Sequence, residues 1–357
     1  MLNLSQNGCS VWVAAATERV LTPTAVALGK FDGVHLGHQR VIQPVLQPVK
    51  TQQGMGGQEL TTPLPPTDPL TAPPEQLYST VVTFRPHPQE FFTGQPRTWL
   101  TPLDEKVEQL RSLGVQQLVL LPFDGDLAAL SPEEFVERIL VQQLHCQQIS
   151  VGQDFCFGKN RRGTAQDLQA IASKYNIPVT IVTLETSTLP AVNDNSCTNV
   201  NISDNAPIST SLIRKSLASG DIKNANRCLG RLYSLIGTVV EGEQLGRTLG
   251  FPTANLELPI DKYIPCQGVY AVRVQILGQT PSEILGVMNI GNRPTVNGTY
   301  PSVEVHLLDW SGDLYGKKLA VQLVEFLRPE QKFPSLEALK HQIQQDCAIA
   351  IQVLSQS

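Results

Sequence analysis

The chain has 357 residues, of which 41% are hydrophobic and 17% are charged, a composition that suits a soluble globular protein with room for two domains. The formal net charge of −5 gives no reason to expect a nucleic-acid or membrane partner, and no apolar run approaches the roughly 20 residues of a transmembrane helix. The beginning of the chain lacks the pattern of a signal peptide. The seven cysteines are scattered without a CxxC pair, so we expect reduced thiols in a cytoplasmic protein and no thiolate zinc site.

The first half of the chain alternates strand-like and helix-like segments. Short runs rich in β-branched residues predict strands at 25–28, 79–84, 117–121, 149–152 and 179–184. Amphipathic segments between them predict helices at 101–113, 131–140 and 164–175. This alternation predicts an α/β, Rossmann-like domain in which helices wrap a parallel sheet.

Two stretches interrupt this pattern. Residues 52–76 are rich in Gly, Pro, Thr and Gln, and residues 187–206 are rich in Asn, Ser and Asp. Neither composition can bury much apolar surface, so both stretches are predicted to be surface insertions.

The second half contains consecutive strand-like segments without long helices between them. They are predicted at 235–240, 268–277, 283–289, 302–308 and 319–326, and a helix is predicted at 335–354. Serial strands punctuated by Gly, Pro and Asn favour an antiparallel β-barrel. We therefore predict a first domain at 1–215, a linker at 216–229 and a barrel domain at 230–357.

One segment of the first half carries residues suited to phosphate chemistry. Residues 29–38, GKFDGVHLGH, follow the first predicted strand and precede a helical stretch, where an open α/β sheet binds its ligands. His35 and His38 would meet at a helix N-terminus, which favours anions. Such a site suits nucleotidyl transfer, in which the protein positions the groups and stabilises charge on the α-phosphate. Taken alone, the histidine pair is equally consistent with a helix cap or a metal ligand.

The second half has a glycine-rich segment at 237–255, GTVVEGEQLGRTLGFPTAN, which is neither a Walker A loop nor a Rossmann fingerprint. Taken alone, it predicts a series of barrel turns. Further on, Val303 and Val305 alternate with Glu304, the period of a strand with two unlike faces. This places Glu304 opposite the two valines, a position consistent with the mouth of a barrel, although taken alone it would be the polar outer face of a strand.

Together these segments resemble the bacterial bifunctional riboflavin kinase/FMN adenylyltransferase family. Residues 29–38 resemble the signature GxFDGxHxGH, and 246–255 resemble the riboflavin kinase signature GRxLGFPTAN. Further segments similar to those of the family follow in the expected order at 84–88, 151–163, 208–214, 268–271, 289–295, 304–306, 313–317 and 326–328. The resemblance implies a nucleotidyltransferase domain with a parallel sheet, followed by a barrel-shaped kinase domain with a terminal helix.

For the first site, the resemblance implies that His35 and His38 contact ATP phosphates at the transition state and that Arg214 also acts in catalysis. The implied ATP- and FMN-binding residues are Gly29, Phe31, Asp32, Gly33, Gly37, Asp154, Ser209, Thr210 and Ser211. The order Ser-Thr-Ser at 209–211 departs from the usual Ser-Ser-Thr, although a hydroxyl remains at each position. The effect of this change on ATP affinity stays open.

For the second site, the resemblance implies that Thr253 and Asn255 supply oxygens to Mg²⁺ on the ATP phosphates, as suits a hard cation. Glu304 would be the general base that accepts the 5′-hydroxyl proton of riboflavin. The implied ATP- and riboflavin-binding residues are Gly242, Gly246, Arg247, Gly250, Thr253, Asn255 and Arg293.

The implied function is flavin cofactor biosynthesis. The barrel domain would phosphorylate riboflavin to FMN with ATP, and the first domain would adenylylate FMN to FAD and release pyrophosphate. The implied partners are these small molecules, and self-association is left open. Three alternatives are a different nucleotidyltransferase, which would not explain the barrel, a flavin-binding protein without catalysis, and a kinase whose first domain is a relic.

Overall fold

The computed structural model divides into two compact units. The first unit comprises Met1–Arg97 and Leu103–Glu185, and the second comprises Thr98–Pro102 and Thr186–Ser357. The structure describes residues 12–14, 17–46, 77–183, 207–242, 246, 250–280, 282–295 and 298–356. The insertions predicted at 52–76 and 187–206 lie outside these described residues.

The first unit contains a six-stranded sheet in which all neighbouring strands are parallel. Its spatial order is β1-β4-β3-β2-β5-β8, and a separate hairpin consists of β6 and β7. The strands are β1 (Trp12–Ala14), β2 (Thr24–Leu28), β3 (Tyr78–Arg85), β4 (Gln117–Pro122), β5 (Cys146–Gly152), β6 (Cys156–Phe157), β7 (Gly163–Thr164) and β8 (Val179–Val182). The predicted parallel sheet is confirmed, and β1 is an additional edge strand.

Helices cover both faces of this sheet. A capping box starts the fifth helix: Glu134 N donates to Ser131 Oγ at 3.1 Å, and Ser131 N donates to the Glu134 carboxylate at 2.9 Å. The helices are α1 (Leu36–Leu46), α2 (Pro88–Thr93), α3 (Leu103–Ser112), α4 (Gly125–Ala129), α5 (Pro132–Glu134), which continues as a π-helix (Phe135–Gln143), and α6 (Ala165–Ser173).

Strand β2 is buried on both faces, as is usual for a central parallel strand. Ala25 and Ala27 pack into one apolar cluster with side chains of α1 and α3. Val26 and Leu28 pack into a second cluster with the π-helix and α6. The end of β2 is therefore fixed by packing from both sides, which makes it a rigid support for the turn that follows.

The second unit contains a closed barrel of six antiparallel strands, as predicted. Tyr270, Met288 and Val305 lie side by side across three strands and are fully buried. Side chains such as these fill the inside of so small a barrel. The strands are β9 (Tyr233–Val240), β10 (Ala254–Glu257), β11 (Gly268–Ile276), β12 (Ile284–Thr295), β13 (Gly298–Leu307) and β14 (Lys318–Arg328), with the spatial order β10-β13-β12-β11-β14-β9.

The predicted C-terminal helix is present and packs on the outer surface of the barrel. The second unit has three helices of more than one turn among its described residues: α7 (Thr210–Ser219), α8 (Ile222–Leu229) and α9 (Leu336–Gln356). Ala350 and Leu354 of α9 form an apolar cluster with Val269, Ala271 and Val287 of the barrel. These three barrel residues therefore define its outer face.

The predicted linker at 216–229 is occupied by the end of α7 and the whole of α8. Asp221 caps α8, and Ile222 and Leu229 are almost completely buried. The segment belongs to the second compact unit, which also contains Thr98–Pro102. The domain bounds 1–215 and 230–357 stay a prediction.

Candidate active sites

The first candidate site lies where the order of strands reverses. The chain runs from β2 to β3 on one side and later places β5 on the other side of β2. Such a switch point opens a crevice at the carboxyl ends of the strands. The segment 29–38 follows β2, and Asp154 follows β5, so both lie at this crevice. The position predicted for this site from sequence is thus where the sheet has its crevice.

The turn between β2 and α1 is tightly wound. Phe31 and Val34 have positive φ angles of 48° and 44°, which residues other than glycine rarely adopt, and Gly33 has a φ of 89°. Phe31 is completely buried, and Asp32 is only 2% exposed. Gly29 lies against the Phe31 ring, where a Cβ would come within 3.1 Å. The turn is therefore a rigid element and not a loose loop.

His35 and His38 lie side by side at the start of α1. Their rings stack with centroids 3.6 Å apart, and His38 N donates to His35 Nδ1 at 3.3 Å. His38 Nδ1 is buried and has no hydrogen-bond partner among the described residues. Burial, reinforced by His35 and Lys106, holds the pKa of His38 well below its usual range. His38 is therefore neutral near pH 7 when the site is empty.

Cationic side chains surround this turn. Arg97 lies 3.8 Å from the buried Asp32 carboxylate. Burial lowers the pKa of Lys30, with smaller contributions from Arg161 and Arg97, whereas Asp154 acts in the opposite direction. An anion bound here would relieve the repulsion among these cations. The electrostatics therefore suit a phosphate ligand.

Two further predicted segments have clear local roles. Asp154 is exposed, and Gly152 passes so near it that a Cβ would lie 2.9 Å from Asp154 Oδ1. His87 is the N-cap of α2, where its Nδ1 accepts a hydrogen bond from Gln89 N at 3.0 Å. Burial lowers the pKa of His87 to about 4. His87 is therefore a neutral capping residue.

The Ser-Thr-Ser segment lies at the start of α7, in the second compact unit. Ser209 is the N-cap and accepts from Leu212 N at 3.2 Å, while Thr210 and Ser211 open the first turn. The Arg214 guanidinium stacks on Tyr263 at 4.6 Å and donates to the Thr98 carbonyl. A binding role for this segment stays a prediction.

The second candidate site is a row of polar side chains across three barrel strands. Glu304 of β13 pairs with Asn255 of β10 and with Asn289 of β12. All three lie on the outer face, because their neighbours Val305 and Met288 point inward. The interpretation that Glu304 points into the barrel mouth is wrong, since apolar side chains fill the interior.

A turn beside this row brings further predicted residues together. Thr253 Oγ1 donates to Glu304 Oε2 at 3.5 Å. Gly242 lies directly against the Asn255 amide, and Phe251 N donates to the Gly246 carbonyl at 2.8 Å. A side chain at either glycine would collide with this turn, which explains the glycines there. Gly250 has a φ of 90° and is exposed.

Two predicted residues of this site cannot be placed. Arg247 lies outside the described residues, and so does the side chain of Arg293, whose backbone belongs to β12. Their predicted roles in binding ATP and riboflavin are therefore untested.

Two family models together match most of the chain. A FAD synthetase model matches residues 17–55 and 70–191, and a riboflavin kinase model matches residues 229–354. A bifunctional riboflavin kinase/FMN adenylyltransferase from Haemophilus influenzae is 35% identical over 334 residues, which cover 93% of this chain and 94% of the relative. The chain belongs to the bifunctional riboflavin kinase/FMN adenylyltransferase family. A Pseudomonas fluorescens member is 38% identical over 324 residues, 90% of each chain.

Membership of this family confirms the predicted function, which is FMN and FAD biosynthesis by two activities in one chain. Riboflavin, FMN and ATP are the small-molecule substrates, and reactions of this kind with ATP need a divalent cation. The hydroxyl, amide and carboxylate oxygens of Thr253, Asn255 and Glu304 fit a hard cation that keeps several waters. Among the described residues, no group of three or more His, Cys, Asp or Glu side chains could hold a metal by itself.

A solved structure has the same architecture. It is titled as a macrolide-efflux protein from Streptococcus pneumoniae, with a TM-score of 0.72 and 26% identity over 95% of this chain and 98% of that one. In the part of this chain that the structure describes, no helix is long and apolar enough to cross a membrane.

The sequence did not indicate that three further side chains lie close to the predicted site residues. Lys106 lies among the charged residues of α3, and it is only 5% exposed. Arg97 lies in a polar stretch with no pattern, and it reaches Asp32 only in the fold. Asn289 lies in a segment that resembles the family, but its place beside Glu304 depends on the strand register.

Proposed function

We propose that two separate residue sets carry the two activities. The single observation that carries the proposal is the presence of two unlike arrangements of polar side chains in separate compact units. One is a stacked histidine pair at the crevice of a parallel sheet, and the other is a row of oxygen side chains on a barrel. The two reactions attack different phosphorus atoms of ATP, which explains the need for two sites.

In adenylyl transfer, an FMN phosphate oxygen attacks the α-phosphorus of ATP, and pyrophosphate leaves. His35 and His38 would contact the α-phosphate oxygens that gain charge. The bound polyphosphate places negative charge beside His38, which raises the pKa of its imidazole from the lowered value of the empty site. Asp154 would orient the substrates in the crevice. Ser209, Thr210, Ser211 and Arg214 are proposed to bind the departing pyrophosphate.

In the kinase reaction, the 5′-hydroxyl oxygen of riboflavin attacks the γ-phosphorus of ATP, and ADP leaves. Glu304 would accept the hydroxyl proton as the general base. Its carboxylate is held 3.5 Å from Thr253 Oγ1 and beside Asn255, so a hydroxyl that it orients lies next to the phosphate-binding turn. Positioning of this kind is the main protein contribution to phosphoryl transfer.

We propose that the divalent cation of the kinase site is Mg²⁺, with Thr253 and Asn255 as its protein ligands. When bound, the cation neutralises charge on the ATP phosphates. Hydroxyl and amide oxygens are suitable donors for Mg²⁺, which takes few protein ligands and keeps several waters. We further propose that the enzyme works in the cytoplasm, without a nucleic-acid or membrane partner. Cys146 and Cys228 are unpaired buried thiols, which supports a reducing compartment.

The test uses the whole purified chain with riboflavin, ATP and Mg²⁺, and chromatography to follow flavin products. Wild type is expected to accumulate FMN and then FAD. His38→Ala is expected to make FMN but not FAD, and Glu304→Ala is expected to make no FMN but still to convert supplied FMN to FAD. If His38→Ala forms FAD at the wild-type rate, or Glu304→Ala forms FMN at that rate, the assignment of that residue is wrong.

A further inference from the structure

A buried lysine lies under the turn that presents the histidine pair. Lys106 of α3 is 5% exposed, and its Nζ donates to the Lys30 carbonyl over 3.4 Å. Burial lowers the pKa of Lys106 to about 8, while Asp32 acts in the opposite direction and Arg85 in the same one. Burying an ammonium group is costly, so a lysine at such a position calls for a compensating role.

The turn above Lys106 is strained and needs support. Positive φ angles at Phe31 and Val34 each cost free energy, and such conformations persist only where the surroundings enforce them. Val34 is β-branched, which makes its φ of 44° especially unfavourable. The Val34 carbonyl accepts a hydrogen bond from Nε2 of Gln39, in the helix α1 that follows the turn, at 3.1 Å.

The other end of the turn is held from outside. Two side chains donate to the Lys30 carbonyl: Thr83 Oγ1 of β3 at 3.0 Å and Lys106 Nζ of α3 at 3.4 Å. The Lys30 carbonyl therefore joins the turn to both a sheet strand and a helix. Thr83 and Lys106 are only 3% and 5% exposed, so both hydrogen bonds lie in a protected environment, and the one from the Lys106 ammonium group is strengthened by its charge.

We propose that Lys106 is a positioning residue for adenylyl transfer: its ammonium group holds the Lys30 carbonyl and so fixes the turn that places His35 and His38. The inference rests on the proposed role of the histidine pair. Lys106 acts through the backbone, and no contact with substrate is assigned to it. A small displacement of the histidine pair is expected to lower the rate of the chemical step more than it lowers the affinity for the substrates.

The test compares Lys106→Met with Lys174→Met, an exposed lysine of the same unit, in the full-length enzyme. Lys106→Met is expected to lower kcat for FAD formation by about 30- to 100-fold, with KM for FMN and ATP changed less than about threefold. Lys106→Arg, which keeps the donor, is expected to recover most of this loss. Lys106→Met is expected to form FMN in the barrel unit at the wild-type rate. Lys174→Met is expected to form both FMN and FAD at the wild-type rates.

Two results would overturn the proposal. One is FAD formation by Lys106→Met within about twofold of wild type, and the other is a rise in KM at unchanged kcat. If near-ultraviolet circular dichroism shows that Lys106→Met is unfolded, Thr83→Val removes the other donor to the same carbonyl. It is expected to lower kcat by about fivefold or more, and an unchanged kcat would overturn the proposal. His38→Ala is measured in parallel: if it retains full FAD formation, the proposed role of the histidine pair fails, whatever the Lys106 result.

Discussion

Replacing Gly242 with alanine tests whether the Asn255 amide serves the kinase reaction. A Cβ at position 242 would lie 2.7 Å from Asn255 Oδ1 and nearer still to the rest of the amide. Ordinary contact needs about 3.5 Å, so the nearest atom of the amide must move by more than about 1 Å. A displacement of that size at a positioned group costs about 100-fold in rate. The colliding atoms are the end of a side chain, so the fold is expected to lose little stability.

The assay measures FMN formation from riboflavin and FAD formation from supplied FMN on the same Gly242→Ala preparation. We expect FMN formation to fall by about 100-fold while FAD formation stays unchanged. Gly278→Ala is the control, because its Cβ meets no atom within 4 Å but its φ of 81° is strained. That variant is expected to lose about 1–2 kcal/mol of stability and no activity. Normal FMN formation by folded Gly242→Ala, or an equal loss in the control, would refute the reasoning.

Three further predictions concern stability and reactivity. Arg328→Met leaves the Asp346 carboxylate, which is 3% exposed, without its guanidinium partner, and we expect the free energy of unfolding measured in urea to fall by about 3 kcal/mol. Lys223→Met, the control, breaks a more exposed ion pair and should lower it by less than about 1 kcal/mol. Equal losses in the two variants would contradict this prediction. Burial raises the pKa of the Cys146 thiol to about 12, so brief alkylation of the native protein at pH 8 should leave Cys146 unmodified until the protein unfolds. Mass spectrometry measures the modification, and rapid labelling of the native protein would be inconsistent with the burial of Cys146. Burial lowers the pKa of His87 from 6.5 to about 4, so as the pH falls the unfolded chain binds a proton before the folded protein does, and the free energy of unfolding should decrease from about pH 6.5 to 4. His87→Asn keeps the helix cap and should make the free energy of unfolding less dependent on pH in this range. An unchanged pH dependence would assign the acid sensitivity to other groups.

Much of the first unit could be predicted because its strands are continuous apolar runs. The strand predicted at 117–121 is β4 (Gln117–Pro122), and the segment 29–38 lies between β2 and α1, as predicted. Strand β1 was missed, since three residues give no periodicity. The π-helical form of Phe135–Gln143 was also missed, because periodicity reports an apolar face and not the hydrogen-bond ladder.

The face of Glu304 shows a limit of pattern reasoning. Alternation along β13 divides the residues correctly into two faces, with Val303 and Val305 on one and Glu304 on the other. The pattern alone does not say which face is inside. Closure of the barrel decides it, because the six strands surround a space that apolar side chains fill.

Contacts between distant parts of the chain were beyond sequence reasoning. Arg214 donates to Thr98, which lies 116 residues earlier, and nothing in either segment indicates the pairing. Lys106 follows two acidic residues in α3, and nothing in this segment indicates that its side chain is buried. Its burial results from packing against the turn at Lys30, 76 residues earlier. Such residues become visible only when the fold brings their partners together.

The most direct test of two ATP-dependent reactions, one at the γ- and one at the α-phosphorus, is the fate of isotopic label from ATP. The full-length enzyme is given riboflavin and Mg²⁺ with ATP labelled with ³²P at either the γ- or the α-phosphorus, and the flavins are separated and counted. The account predicts that γ-label enters FMN and is carried into FAD, whereas α-label enters FAD alone. Appearance of α-label in FMN, or FAD without α-label, would contradict the account.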